Sequence, residues 1–90
     1  MTGAEGGSNV ENTLWRALTV VGEALSAGAI ADIALLIRVG ERLVAYETLA
    51  TQAFEFSVGL DSSLVADLTS AGAALGADPK YGRWLRDCAV

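Results

Sequence analysis

The sequence contains no histidine and only one cysteine, one proline and one methionine among its 90 residues. Without histidine it can form neither a Ser-His-Asp triad nor a histidine-based zinc site. A single cysteine cannot form an internal disulfide, which fits a reducing cytoplasm. The phosphate-binding pattern GxxxxGK[ST] is also missing. We therefore predict a protein that is not an enzyme and that holds no metal ion or cofactor.

What the sequence has in excess is apolar surface, since 52% of its residues are hydrophobic and its net charge is −5. A chain of this length encloses a small interior, so we expect apolar helices to pack against other copies of the chain. Glu23, Asp32 and Arg38 interrupt the most apolar region, so no uncharged run is long enough to span a bilayer. The N-terminus lacks the basic and apolar segments of a signal peptide. These features predict a cytoplasmic homo-oligomer without a membrane contact.

The N-terminal third of the chain predicts one helix after a disordered start. Residues 1–8 are rich in glycine and are expected to be disordered, which leaves residues 9–90 as a single helical oligomerisation domain. Ser8 and Glu11 have the spacing of a capping box, so a helix is expected to begin there. Its apolar stripe steps by four, three and four residues: Leu14, Leu18, Val21 and Leu25.

The middle of the chain, about residues 29–58, carries helical periodicity on two faces. Gly40 lies in its centre and costs a helix about 1 kcal/mol relative to alanine, whereas Gly59 is expected to end it. The pattern predicts one long helix that forms a long hairpin with the first helix. Two apolar faces need neighbours on two sides, and we expect the residues in or near the oligomer interface to be Leu36, Val39, Leu43, Tyr46, Trp15 and Trp84.

Two short helices are expected to complete an all-α fold. Asp61 is a suitable N-cap for the third helix and Gly76 a suitable stop signal for it. Asp78 and Pro79 then fit the start of a fourth.

The last helix carries half of the six basic residues of the chain. Lys80, Arg83 and Arg86 recur at spacings of three and fall on roughly one face. They either contact DNA or a partner protein, or they complement the helix dipole and keep the protein in solution.

A second basic pair lies one turn apart in the middle of the chain. Arg38 and Arg42 either form a solvated face, paired with carboxylates such as Glu41 and Glu47, or line a shared surface in an oligomer, where they would contact DNA or a partner.

The stretch "GLDSSL" is similar to the attachment site of acyl carrier proteins, and Ser62 would then carry phosphopantetheine. Only 28 residues follow this serine, fewer than a carrier domain needs. The simpler interpretation is that Asp61 caps a helix and that Ser62 and Ser63 occupy its first turn.

The order of features over residues 13–87 resembles the small terminase subunits of tailed phages. The matching features, in chain order, are Leu14-Trp15, Ala27-Gly28, Asp32, Tyr46, the segment Leu75-Gly76-Ala77-Asp78-Pro79 and Leu85. The sequence departs from that family in having Asp78 in place of threonine, Gly82 in place of arginine, and no basic N-terminal arm.

The resemblance implies a non-catalytic subunit of a viral DNA-packaging motor. Such a subunit forms a ring in the host cytoplasm, recognises double-stranded viral DNA, and regulates the large terminase subunit that holds the ATPase and nuclease. Because the basic arm is missing, the basic residues of the last helix contact either DNA or the large subunit. A generic oligomeric helical adaptor or regulator remains the main alternative.

Overall fold

The computed structural model describes secondary structure for residues 2–90 and side chains for residues 9–90. Within these residues the chain forms five α-helices, with no strand, so the all-α prediction is confirmed. The helices are α1 (Thr2–Val21), α2 (Ala27–Arg38), α3 (Arg42–Glu55), α4 (Ser62–Leu75) and α5 (Pro79–Asp87), and a short 3₁₀ turn (Gly22–Ala24) follows α1.

The N-terminal boundary differs from the prediction. Helix α1 begins at Thr2, so Ser8 lies inside it and is not its N-cap. The predicted disordered segment, residues 1–8, falls on residues whose side chains lie outside the described part of the structure, and it stays a prediction.

The predicted long helix is wrong, because it divides into α2 and α3 at Gly40. This glycine has a φ of +86°, in the left-handed region that favours glycine. Its N–H donates to the carbonyl of Ile37 at 3.2 Å, and the N–H of Glu41 donates to that of Leu36 at 2.9 Å. This pair of bonds is a Schellman motif, which ends a helix and turns the chain. In place of the predicted long helix the chain has two shorter helices, of 12 and 14 residues.

A Schellman motif with the same pattern of two hydrogen bonds also ends α3 and α4. At the end of α4 the left-handed residue is Gly76, as predicted, with a φ of +74°. At the end of α3 it is Ser57, with a φ of +51°, and not the predicted Gly59. The N–H of Ser57 donates to the carbonyl of Phe54 and that of Val58 to the carbonyl of Ala53. Ser57 adopts a conformation that ordinarily favours glycine.

The helix starts follow the predicted capping chemistry at two positions. The Asp61 carboxylate accepts the N–H of Leu64 at 2.8 Å, and the Asp78 carboxylate accepts the N–H of Lys80 at 2.9 Å. Ser26 caps α2 by accepting the N–H of Ala29 at 3.2 Å.

One core joins the helices. Helix α1 packs on α2, α3 and α4, and α5 lies against α3 and α4. An isolated bridge between Leu60 and Ala89 ties the chain beyond α5 to the loop before α4. The largest side chains of the core, each less than 2% exposed, are Tyr46, Leu14, Ile33, Ile37, Leu49, Leu60, Leu68, Leu85 and Val21.

The turn at Gly40 also changes the argument for an oligomer. The radius of gyration is 12.0 Å, and a compact chain of this length has a value of about 12 Å. Because α2 and α3 fold onto one another and onto α1, most of the two apolar stripes is covered within the chain. Any contact between copies must therefore use the apolar side chains that are still exposed.

Candidate interaction surfaces

Helix α5 holds its three basic residues on different sides. At 100° per residue, Lys80 and Arg86 lie about 120° apart around the helix. The Lys80 ammonium lies over the rings of Tyr81 and Trp84, 5.2 and 5.6 Å from their centroids. Arg86 instead lies beside Gly82, in a groove towards α4. Arg83, between them, is exposed. The predicted stripe is therefore a broad basic surface with Arg83 at its centre.

Arg38 and Arg42 meet α1, and neither pairs with Glu41 or Glu47 within the described residues. Arg42 forms an ion pair with Glu11 at 3.5 Å. The Arg38 guanidinium lies 5.9 Å from the centroid of the Trp15 ring, and the indole N–H of Trp15 donates to Glu11 at 3.4 Å. These four side chains join α1 to the turn between α2 and α3.

An exposed apolar surface surrounds the turn at Gly40, and we call it the turn patch. It consists of side chains at the end of α2 and the start of α3: Leu35, Val39, Leu43 and Val44, which are 55, 61, 37 and 43% exposed. All four lie within five residues of Gly40, in the last turn of α2, the connection after it and the first turn of α3. The sequence predicted Val39 and Leu43 as interface residues, but not Leu35 or Val44.

A second apolar surface, the aromatic patch, lies at the other end of α3. The Phe54 ring stacks on Trp84 with centroids 5.0 Å apart, and Phe54 and Val90 line the same small depression. We define the aromatic patch as Phe54, Trp84 and Val90, of which Phe54 is 42% and Val90 88% exposed. Of these the sequence predicted only Trp84, because the isolated apolar residues Phe54 and Val90 leave no periodic signal. Phe56 is also exposed, but it follows Phe54 by two residues and therefore lies on the other side of α3.

The other predicted interface residues do not lie on an open surface. Tyr46 is 1% exposed and belongs to the core, which corrects its assignment. Leu36 and Trp15 are half-buried and pack against the core within the chain. Tyr46 was assigned to the interface because one continuous helix would have left a second apolar face of this segment uncovered. The turn at Gly40 folds α3 onto its neighbours and covers that face.

Ser62 and Cys88 are the two remaining groups with nucleophilic side chains that the sequence analysis considered. Ser62 is the first residue of α4, exposed beside the Asp61 cap, as the simpler interpretation predicted. Cys88 is buried, and burial, together with the charge of Asp87, raises the pKa of its thiol. Among the described residues, no group of three or more carboxylates and thiols could hold a metal ion.

No family model, curated protein or solved structure matches the chain. The resemblance to small terminase subunits therefore remains a prediction from the order of sequence features. In the part of the chain that the structure describes, no helix is both long and apolar enough to cross a bilayer.

Proposed function

We propose that this protein is a small-terminase-type subunit that assembles head to tail into a ring and binds viral DNA and a large motor subunit in the host cytoplasm. The observation that carries the proposal is the presence of two unlike apolar patches at opposite ends of α3. The 14 residues of α3 separate the patches by about 20 Å.

Two unlike patches can be covered by a head-to-tail contact or by an antiparallel two-fold contact. In the two-fold dimer the turn patch of each copy packs on the aromatic patch of the other, and assembly stops at two subunits. We favour the head-to-tail contact because the family that the sequence resembles forms rings. If the turn patch of one copy packs on the aromatic patch of the next, both are covered in every subunit. Such contacts generate a closed ring when the rotation between neighbours closes. Aromatic side chains are also typical of the centre of protein interfaces.

Mixing two variants tests this geometry. Val39→Glu places a charge in the turn patch and Phe54→Glu places one in the aromatic patch, and both side chains are exposed outside the core. Each variant alone is expected to be monomeric, because every contact needs both patches. An equimolar mixture is expected to form dimers, since one pair of intact patches remains. Light scattering after size exclusion measures the masses.

Other results would contradict the ring. If the unmodified chain has the mass of a dimer, the contact is two-fold and the protein is better described as a dimeric adaptor. If Phe54→Glu assembles like the unmodified chain, the aromatic patch is not part of the contact. If the unmodified chain is a monomer at micromolar concentration, no ring forms.

The basic surface of α5 supports the binding of DNA or of an acidic partner. One copy offers Lys80, Arg83 and Arg86 on a chain of net charge −5, which is weak for phosphate binding because affinity grows with the number of phosphates neutralised. A ring repeats these cations once per subunit.

Charge reversal tests this surface. We expect the double substitution Arg83→Glu, Arg86→Glu to weaken binding to duplex DNA or to the large subunit by about tenfold or more, with unchanged subunit count. Binding by the unmodified chain should also weaken as salt rises. The matched control is Arg16→Glu, which reverses a charge that pairs with Asp67 on a different face of α4. If the double variant binds both partners as well as the unmodified chain, α5 is only a solvated helix.

A further inference from the structure

Three carboxylates border the turn patch, and we call them the acidic margin. Asp32 lies on α2 two turns before Val39 and about 20° around the helix from it. Glu47 lies on α3 one turn after Leu43 and about 40° around the helix from it. Glu41 lies in the connection between the two helices. All three are at least partly exposed and none forms an ion pair with a described residue, so the acidic margin is open to a cation from another molecule.

The two cations near the turn patch are directed towards α1. The Arg38 guanidinium lies 5.9 Å from the centroid of the Trp15 ring, and Arg42 forms an ion pair with Glu11 at 3.5 Å. Because Glu11 compensates the charge of Arg42, one cation remains against the three carboxylates of the acidic margin. The electrostatic field at the turn patch is therefore negative.

The aromatic patch has a cation at its edge. The Lys80 ammonium lies 5.6 Å from the centroid of the Trp84 ring, which stacks on Phe54. Lys80 forms no ion pair with a described residue. An ammonium group has three N–H donors, so Lys80 can bind a carboxylate of another copy while it stays over the ring. Arg83 and Glu55, the chain neighbours of the two rings, are exposed and opposite in sign.

Asp87 determines the direction in which the two patches meet. It lies about 20° around α5 from Lys80 and about 10 Å further along the helix axis, beyond Trp84. It also lines the depression that contains Phe54 and Val90. The aromatic patch therefore has a cation at one end and a carboxylate at the other. An acidic margin placed against Asp87 would meet a like charge, which costs binding energy, whereas against Lys80 it meets an opposite charge.

We propose that the acidic margin of one copy contacts the Lys80 ammonium of the next copy, with the turn patch of the first on the aromatic patch of the second. This inference rests on the contact of the proposed function. It applies to a ring and to a two-fold dimer alike, since both bring these patches together. It assigns Lys80 to the subunit contact and leaves Arg83 and Arg86 for DNA or the large subunit. Apolar burial and opposite charge then favour the same neighbour.

Charge reversal and charge exchange test the pairing. Lys80→Glu is expected to raise the protein concentration at which half of the assembly dissociates by about tenfold, because it places like charges against one another. The double variant Glu41→Lys, Glu47→Lys should weaken assembly for the same reason. A variant with all three substitutions restores opposite charges and should assemble within about threefold of the unmodified concentration. Arg16→Glu is the matched control and should assemble like the unmodified chain. Light scattering over a dilution series measures all of these.

Salt and the apolar variant separate the possible results. At about 1 M salt the Debye length is about 3 Å, so Lys80→Glu and the unmodified chain should assemble at similar concentrations there. The pairing is wrong if Lys80→Glu assembles like the unmodified chain at low salt, or if the triple variant assembles no better than Lys80→Glu. If Val39→Glu is still monomeric in that case, the patches do meet and only the pairing of charges fails. A monomeric unmodified chain would overturn both proposals.

Discussion

Gly72→Ala is expected to destabilise the fold by about 2 kcal/mol. A Cβ at this position would lie 2.5 Å from Cζ and 3.0 Å from Cε2 of Tyr46, a ring held in the core. Overpacking of this kind costs roughly 1–3 kcal/mol or more, and the better helix propensity of alanine returns at most about 1 kcal/mol. Urea unfolding followed by circular dichroism measures the difference.

Gly82→Ala is the matched control for this prediction. There the new Cβ would meet Arg86 Nη1 at 3.4 Å and Thr69 Cγ2 at 3.7 Å, ordinary contacts with side-chain ends. This variant should be neutral or up to about 1 kcal/mol more stable. Combining Gly72→Ala with Tyr46→Leu should cost less than the sum of the two single changes, because the clash is then gone. An unfolding midpoint for Gly72→Ala equal to that of the unmodified chain would contradict the packing described.

Leu14→Ala is expected to cost about 3 kcal/mol of unfolding free energy. Leu14 is fully buried on α1, and truncation of a core leucine removes apolar contacts and leaves a cavity, typically at a cost of about 2–5 kcal/mol. The same change at Leu35, which is 55% exposed in the turn patch, should alter stability by about 0.5 kcal/mol or less. Denaturant unfolding of both variants at the same low concentration measures this. Equal losses at the two positions would mean that α1 does not form the core.

The helices themselves could be predicted because their signals are local. The caps at Asp61 and Asp78 and the stop at Gly76 follow from side-chain and backbone chemistry within a few residues. The break at Gly40 could not be predicted in the same way. A glycine within a helix costs about 1 kcal/mol relative to alanine, which a long helix can tolerate. The chain turns at Gly40 because the turn allows α2 and α3 to pack against α1, and that packing has no local sequence signal.

The candidate surfaces were less predictable than the helices. The partner of Arg42 is Glu11, 31 residues away, and no local pattern points to it. Tyr46 and Arg86 line the same groove, although they are 40 residues apart in the sequence, and Gly72 leaves room there for the Tyr46 ring. Val90 becomes part of the aromatic patch because the chain beyond α5 returns to the loop before α4, where the N–H of Val90 donates to the carbonyl of Leu60 at 2.9 Å.

The left-handed turn at Gly40 ends α2 and directs the chain into α3. The apolar periodicity runs through the turn, so rotation of the backbone there to right-handed values would join the two into a rod of 29 residues, about 44 Å long. In that rod α3 would lose its contacts with α2 and α1 of its own chain. A second copy in the same state could supply identical contacts, which is the geometry of domain exchange. The turn at residues 39–41 therefore keeps the contacts among α1, α2 and α3 within one chain, and Gly40 adopts its left-handed conformation there without strain.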